Sequence, residues 1–170
     1  ATSRRVDAII ITSPKPNDER IRLLHELGMP FLVHGRSDTD IPHAWLDIDN
    51  EGAVYRATAH LLDLGHTHIA MINGRYGYTF SLHRDAGYRK ALEEKGVVFD
   101  PELVEHGDFT DEVGYRLAKK LLERNPRPTA FVAGSMMTAL GIYRAARSLG
   151  LTIGKDLSVI AHDDVISFLS

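Results

Sequence analysis

The sequence predicts an α/β protein built from doubly wound parallel sheets. Short apolar runs rich in β-branched residues alternate with longer segments in which apolar residues recur every three or four positions. This alternation is typical of strands joined by crossover helices that cover a parallel sheet on both faces. The run at 8–12 is apolar almost throughout, which is the character of a strand buried on both sides. No low-complexity segment interrupts the pattern.

The first 48 residues predict a strand, a helix and two further strands, which together form one lobe. Asn17 is expected to cap the helix, because Asp18 and Glu19 then fall in its first turn, where the helix dipole favours acids. Gly28 is expected to end it, since glycine tolerates the left-handed backbone found there. The strands are predicted at 8–12, 31–34 and 44–48.

The remaining residues predict further strand–helix units. Asn50 is expected to cap a long helix that Gly65 closes, and Ser135 to cap a helix that Gly150 ends. Strands are predicted at 68–72, 103–105, 130–133 and 158–161, and further helices at 82–95 and 110–124. Each end of the sequence lies close to a strand of the buried type, so we expect the chain to be truncated at both ends.

Composition and charge exclude several classes of function. A formal net charge of −3 indicates no cluster of Lys and Arg with which these residues would grip DNA. The absence of cysteine excludes disulfides, thiolate zinc sites and cysteine nucleophiles. No apolar run approaches the roughly 20 residues of a membrane helix, and no export signal opens the chain, so a cytoplasmic location is expected.

Patterns for catalysis and for cofactor binding are also missing from the sequence. The glycine-bearing stretch 73–77 lacks the three-glycine spacing of a dinucleotide site, and no Gly-x-Ser-x-Gly elbow occurs. His66 and His68, with His60 one helical turn earlier, invite comparison with a metal site. No arrangement of carboxylates supports that interpretation, so histidines held by hydrogen bonds in a turn are favoured. We therefore expect neither a cofactor nor an enzyme.

Polar and aromatic residues follow the predicted strands, at the edge where open parallel sheets bind ligands. The candidate ligand-binding residues there are Thr12, Ser13, Tyr76, Phe80, Arg84, Phe109, Ser135 and Asp163. Charged groups and hydroxyls can hydrogen-bond the adjacent hydroxyls of a sugar or polyol, while an aromatic ring covers its apolar face. Arg84 is expected in the first turn of a helix, where the dipole disfavours a cation, so a ligand or an acidic partner is expected beside it.

The two acids that close the last strand have a second interpretation. Asp163 and Asp164 occupy a position where carboxylates more often cap a neighbouring turn than touch a ligand. Position alone therefore leaves both roles open for them. Phe109 is likewise either exposed by its loop or part of the core.

A series of short motifs runs in order along the chain. They are VDAIII at 6–11, GMPF at 28–31, DNEGA at 49–53, LLDLGH at 61–66, IAMING at 69–74, RDAGY at 84–88, GDF at 107–109, PTA at 128–130, DLSVI at 156–160 and DD at 163–164. In content and order this set resembles the LacI/GalR family of transcription regulators. The resemblance covers essentially all 170 residues.

The resemblance implies a two-lobed fold of the periplasmic-binding-protein type, present in part. Residues 1–48 would form part of the N-terminal lobe and residues 49–170 most of the C-terminal lobe, with a ligand in the cleft between them. Arg84 and Asp163 fall on family positions that anchor the ligand, and Phe109 on the position of an aromatic residue that stacks on it. The chain departs from the family at Gly134, Ser135 and Gly35, so the identity of the ligand is not carried over.

The function implied by the resemblance is that of an effector sensor. A small molecule, expected to be a sugar or a related polyol, would bind between the lobes and alter DNA affinity in a homodimer. The operator would be bound by a helix-turn-helix head that is not in this sequence. An exported solute-binding protein of a sugar transporter, which shares the fold, is the alternative.

Overall fold

The computed structural model describes residues 6–163, which form two parallel sheets flanked by helices. The strands are β1 (Ile9–Thr12), β2 (Phe31–His34), β3 (Ala44–Leu46), β4 (Ile69–Asn73), β5 (Val104–His106), β6 (Ala130–Ala133) and β7 (Ser158–Ala161). The helices are α1 (Glu19–Glu26), α2 (Asn50–Asp63), α3 (Thr79–Glu94), α4 (Asp111–Leu122) and α5 (Met136–Ser148). The strand orders are β1-β2-β3 and β5-β4-β6-β7. The predicted parallel α/β fold is confirmed.

The four-stranded sheet is covered on both faces, which is the doubly wound arrangement. Its central strands β4 and β6 are buried along their whole length. Val54 of α2 and Tyr88 of α3 pack on one face, while Leu117 of α4 and Ile142 of α5 pack on the other. The Tyr88 hydroxyl donates a 2.7 Å hydrogen bond to the Ile69 carbonyl, so this buried polar group is satisfied.

The three-stranded sheet has only one covered face. Ile11 of β1 and Val33 of β2 are buried against Ile21 of α1. On the opposite face, Ile10 is 66% exposed and Leu46 is 65% exposed. The prediction that the first strand is buried on both sides is therefore wrong, because α1 packs only on the face that carries Ile11. Within residues 6–163, no helix is both long and apolar enough to cross a membrane.

Two predicted helix caps lie one residue away from the real ones. Asp18, not Asn17, caps α1, since its carboxylate accepts the backbone N–H groups of Arg20 and Lys15. Asn17 itself has a left-handed backbone with φ of 51°. Asp49 likewise caps α2 in place of Asn50, which is the first residue of the helix. The predicted cap of α5 by Ser135 is confirmed.

The start of α3 was predicted too late. This helix begins at Thr79 rather than near residue 82, so Arg84 lies in its second turn and not in its first. No side chain caps α3; the Thr79 N–H and hydroxyl both donate 3.0 Å hydrogen bonds to the Pro14 carbonyl. Because Pro14 follows β1, the start of α3 depends on a contact with the other sheet, which local sequence patterns do not encode.

Candidate functional site

A cavity of about 290 Å³ lies between the two sheets. The loops at the carboxyl ends of β1, β2 and β3 form one wall, and α3 with the loop after β5 forms the other. The residues that line it are Ser13, Pro14, His34, Gly35, Asp47, Ile48, Asn50, Phe80, Arg84 and Phe109. Loops at the carboxyl ends of parallel strands are where ligands bind in folds of this class. The cavity is therefore the candidate ligand site.

Arg84 is a buried cation in the wall of this cavity. It is 5% exposed, and its Nε donates to Asn50 Oδ1 at 2.8 Å while Nη1 donates to the Gly134 carbonyl at 2.9 Å. Burial lowers the pKa of Arg84 to about 10, although Asp163 and Asp47 act through space in the opposite direction. The guanidinium stays charged at neutral pH. Among residues 6–163, its Nη2 has no hydrogen-bond partner, so a donor is left for a ligand.

Asn50 connects Arg84 to the loop that follows β3. Its amide nitrogen donates to Asp47 Oδ1 at 3.1 Å, and Asp47 Oδ2 accepts from Arg36 Nε at 3.3 Å. Asn50 is 2% exposed, so its side-chain orientation is determined by these partners. The cation in the wall of the cavity is therefore held by a network that begins at the end of the smaller sheet.

Two phenylalanine rings lie against the Arg84 guanidinium. Its central carbon is 5.3 Å from the ring centroid of Phe80 and 5.7 Å from that of Phe109. The two ring centroids are 6.0 Å apart and the ring planes are inclined by 44°. Tyr78 stacks on the outer side, with its centroid 5.9 Å from that of Phe80. Cations favour the faces of aromatic rings, so this packing stabilises the buried charge.

The same two rings also border a second cavity of about 270 Å³. Phe80, Phe109 and Ser13 line both cavities, while Arg75 and Asp108 line only the second one. Arg75 and Asp108 form a two-point ion pair between the loops that follow β4 and β5, with 2.7 Å from Nη2 to Oδ2. The pair is exposed to solvent, and Asp108 directly precedes Phe109 in the sequence.

The comparison with known protein families assigns the chain. Residues 1–170 match the family described as periplasmic binding proteins and sugar binding domain of the LacI family. The chain belongs to this family. The HTH-type transcriptional regulator AglR of Rhizobium meliloti is 47% identical over 172 residues, which cover 99% of this chain and 48% of AglR. The regulator CelR of Thermobifida fusca is 34% identical, over 95% of this chain and 48% of CelR.

Solved structures of LacI-family proteins share the fold of this chain. A LacI-family regulatory protein from Chloroflexus aggregans superposes with a TM-score of 0.84 and 33% identity, covering 94% of this chain and 57% of that protein. A complex of the transcriptional regulator CelR with cellobiose also has a TM-score of 0.84 and 33% identity, covering 94% of this chain and 49% of that protein. The chain thus spans about half the length of the curated relatives it matches.

Half of the residues predicted for the site of this LacI-family chain line the cavity between the sheets. They are Ser13, Phe80, Arg84 and Phe109. Ser13 has a left-handed backbone with φ of 49°, which is uncommon for residues other than glycine. Thr12 is exposed and lines an adjacent groove of about 740 Å³, together with Ser13. That groove is also lined by Tyr78, which stacks on Phe80, so the groove adjoins the two phenylalanine rings of the cavity.

Asp163 lies outside the cavity wall but within electrostatic range of it. Its carboxylate accepts the backbone N–H of Met136 at 3.2 Å, in the first turn of α5, and it lines a separate groove beside His162. Burial lowers the pKa of Arg84, and the charge of Asp163 partly opposes that shift. The pKa of His162 is lowered, because of burial and then because of the Arg84 charge, with Asp163 opposing both. In this structure the carboxylate of Asp163 therefore binds a backbone N–H at the start of α5, as a turn-capping acid does. Asp164 lies outside the described residues.

Ser135 and Tyr76 are not brought to the cavity. The Ser135 hydroxyl accepts the Thr138 N–H at 3.1 Å and is also 3.1 Å from the Thr138 hydroxyl, and the residue is 7% exposed. Tyr76 is 73% exposed and packs edge-on against His106 at another cavity. The hydroxyl at Ser135 is thus used to cap α5, and the ring of Tyr76 faces away from the Arg84 site.

Sequence reasoning missed Asn50, Asp47 and His34 as residues of the cavity. The sequence indicated Asn50 only as a helix cap. Its side chain turns toward the cavity because it accepts a hydrogen bond from Arg84 of α3, which is 34 residues further along the chain. Asp47 carried the clearest signal, because an acid near the end of an apolar strand is unusual unless it has a partner.

One of the three histidines that invited comparison with a metal site has other partners for its ring. His66 is hydrogen-bonded through Nδ1 to the Thr129 hydroxyl and through Nε2 to the Ser158 hydroxyl, each at 2.9 Å. Both ring nitrogens are therefore engaged in linking the starts of β6 and β7 to the end of α2. Within the described part of the chain, no group of three or more His, Asp or Glu side chains is placed to hold a metal ion.

Proposed function

We propose that this chain is the effector-binding part of a LacI-type transcription regulator, and that its effector is a sugar or a related polyol. The observation that carries the proposal is the buried Arg84 guanidinium, which lies against two aromatic rings and whose Nη2 amino group has no hydrogen-bond partner among residues 6–163. A buried cation without a bonded carboxylate is costly unless something else completes its coordination. A guest with adjacent hydroxyl groups meets that need.

Sugar chemistry fits the other walls of the cavity. A pyranose has hydroxyls around its rim and an apolar C–H face, so it needs charged hydrogen-bonding groups and an aromatic surface together. The cavity offers Arg84 and Asp47 as the first and Phe80 with Phe109 as the second. Its volume of about 290 Å³ is at the lower end of the range for small-molecule sites. The structural similarity to a regulator solved with cellobiose supports the same class of guest.

The output that we propose is a change in DNA affinity. Residues 1–48 would act as part of one lobe and residues 49–170 as most of the other, and a bound effector would alter the angle between them. In a homodimer this change would alter the spacing of two DNA-binding heads, which lie outside this sequence. The small net charge of −3 agrees with DNA binding by those heads rather than by this chain. Such a regulator would work in the cytoplasm and would catalyse no reaction.

The relatives favour a regulator over an exported solute-binding protein. AglR and CelR, which cover nearly all of this chain, are both named as helix-turn-helix transcriptional regulators. The family description includes periplasmic binding proteins as well, so the two candidates share the fold and differ in what is attached to it.

The test uses the intact protein that carries this chain. Thermal unfolding is measured with a panel of pyranose sugars, disaccharides and open-chain polyols, since a guest that binds only the native state raises its stability. Each sugar that stabilises the protein is then added while the protein is captured on fragmented DNA of its own genome. We expect at least one sugar to stabilise the protein and to change the amount of one specific DNA fragment retained. Stabilisation without any DNA retention would favour the solute-binding alternative, and no stabilisation by any member would overturn the proposal.

A further inference from the structure

Two glycines leave a gap at the ends of neighbouring strands. Gly74 directly follows β4 and Gly134 directly follows β6, and the Gly134 N–H donates to the Ile72 carbonyl at 2.8 Å. Neither glycine has a positive φ, so the backbone conformation does not require glycine at either place. A residue without a side chain in such a position often marks a close approach by another group.

The groups that approach are the rings of the candidate site. A Cβ atom on Gly74 would lie 2.5 Å from Phe80 Cε2 and 2.9 Å from Phe109 Cζ. A Cβ atom on Gly134 would lie 2.6 Å from Phe109 Cε1. Real Cβ atoms essentially never come this close to other heavy atoms, so any larger residue would displace a ring. The two phenylalanines occupy the space that the two glycines leave empty.

This seating determines what the cavity presents to a guest. Phe80 and Phe109 rest on the glycine backbone on one side, contact the Arg84 guanidinium, and line both cavities. Gly134 contributes twice, because its carbonyl also accepts Arg84 Nη1. We call Phe80 and Phe109 together the aromatic platform. The glycines hold this platform at a fixed position next to the guanidinium of Arg84.

We infer that Gly74 and Gly134 are positioning residues that determine specificity: by seating the aromatic platform they select a cyclic pyranoside over an open-chain polyol. A pyranose ring has a rigid apolar face that matches a fixed aromatic surface. An open-chain polyol has no such face and loses rotational freedom when it is held flat. The inference rests on the proposed function and narrows it to cyclic sugars.

Gly74→Ala is the sharper of the two variants. At residue 74 the three atoms nearest to an added methyl group all belong to the ends of two side chains, whereas at residue 134 the methyl group would also lie 3.0 Å from the Ile72 carbonyl oxygen of the backbone. The ring of Phe80 can therefore tilt away in Gly74→Ala while the fold remains. Gly65→Ala serves as the control for a general loss of stability, because Gly65 follows α2 with φ of 91°, where alanine is strained, and does not line the cavity.

The experiment measures affinity by calorimetry for cellobiose, maltose and methyl glucoside, and for the open-chain polyols glucitol and mannitol, with the intact protein. We expect the wild type to prefer at least one of the three pyranosides over both open-chain polyols by about tenfold or more, which is the scale of one aromatic contact. Gly74→Ala should remove most of this preference, while Gly65→Ala should retain it even if the protein melts at a lower temperature. Phe80→Leu, which removes the ring without adding a methyl group, should also remove it.

A double substitution separates positioning from a general loss of stability. In the Phe80→Leu background, Gly74→Ala should change pyranoside affinity by no more than about threefold, because the closer of its two ring contacts is gone and only Phe109 Cζ, at 2.9 Å, remains. Equal loss of pyranoside and polyol binding in Gly74→Ala, an unchanged preference in Gly74→Ala, or a wild type that binds pyranosides and polyols equally well would overturn the inference and leave the proposed function standing. If the wild type bound no sugar and no polyol, the proposed function itself would be wrong and the inference with it.

Discussion

At the scale of single residues, the main feature is the buried cation of Arg84. The carboxylates of Asp163 and Asp47 act on its charge from a distance and form no hydrogen bond with it. No carboxylate among residues 6–163 bonds directly to Arg84; its contacts are an amide oxygen, a backbone carbonyl and two rings. A buried charge with this set of partners retains hydrogen-bonding capacity that structural ion pairs use up. We therefore propose that the side chain receives a guest as well as supporting the fold.

Arg84→Lys keeps a positive charge but removes the planar fork of donors. We expect the affinity for the stabilising sugar to fall by about 10- to 100-fold, which corresponds to one hydrogen bond to a charged group. Calorimetry on the variant and on Arg89→Ala checks this, because Arg89 is exposed on the same helix and should leave affinity unchanged. Wild-type affinity in Arg84→Lys would contradict the role given to the guanidinium.

Asp163→Asn distinguishes the two roles that remain open for this acid. Asparagine can still accept the Met136 N–H, so the contact at the start of α5 is retained while the charge is removed. If Asp163 binds the effector when the cleft holds one, we expect an affinity loss of about tenfold or more with the free energy of unfolding changed by less than about 1 kcal/mol. Unchanged affinity would leave Asp163 as a capping residue, as it is placed in this structure.

At the scale of elements, the ends of the helices show which boundaries are local. Thr110 and Ser135 cap α4 and α5 through their own hydroxyls, and both helices begin next to the residues predicted from the sequence. The start of α3 depends instead on the Pro14 carbonyl, which is 65 residues away in sequence. A boundary was predictable to within one residue where the partner of the first turn lay within three residues, as at α1, α2, α4 and α5.

The cap of α1 predicts a measurable dependence of stability on pH. The side chain of Arg20, as the largest cause, lowers the pKa of Asp18 from its ordinary value of 3.8 to about 2. The folded state therefore binds fewer protons at Asp18 than the unfolded state, and the stability that Asp18 contributes is complete above about pH 5 and lost as the pH falls from 3.8 toward 2.

Asp18→Asn should therefore be less stable than the wild type at pH 7, and the difference should shrink toward zero near pH 2. Urea unfolding at pH 7, 5, 3 and 2 measures this difference, with Glu19→Gln in the same turn as the control. A difference that stayed constant down to pH 2 would show that the charge of Asp18 does not stabilise the cap. Because asparagine caps a helix about as well as aspartate, the loss at pH 7 reflects the charge of Asp18 and its ion pair with Arg20, and it is expected to be about 1 kcal/mol or less.

At the scale of the whole molecule, the two sheets are joined by a short contact beside the cavity. Besides the chain crossing from β3 to α2, Thr79 of α3 is bonded to Pro14 in the loop after β1 through both its N–H and its hydroxyl. Thr79 is 1% exposed, so water does not replace these bonds while the sheets stay together. The contact stabilises the arrangement in which the cavity has both walls.

Thr79→Val removes the hydroxyl bond and keeps the shape of the side chain and its N–H. We expect effector affinity to fall by about 2- to 10-fold, because a net hydrogen bond is worth about 1 kcal/mol and the arrangement that binds the guest becomes less populated. Calorimetry measures the affinity, and small-angle X-ray scattering compares the dimensions of the free protein. Equal affinity in the variant would mean that this contact does not control the opening of the cleft.

The sequence by itself determined the fold class and the places of the strands, and it put Phe80, Arg84 and Phe109 among the candidate residues at the carboxyl ends of the strands. These follow from apolar periodicity and from the rule that loops at the carboxyl ends of parallel strands meet, both of which are local properties repeated along the chain. Only the tertiary structure decided that Asn50 and Asp47 join the site and that Ser135 and Tyr76 do not. The direction of a side chain near the end of an element depends on partners distant in the sequence. For the same reason, the sequence alone does not show that the space beside Gly74 and Gly134 is filled by the rings of Phe80 and Phe109, because other elements bring those rings there.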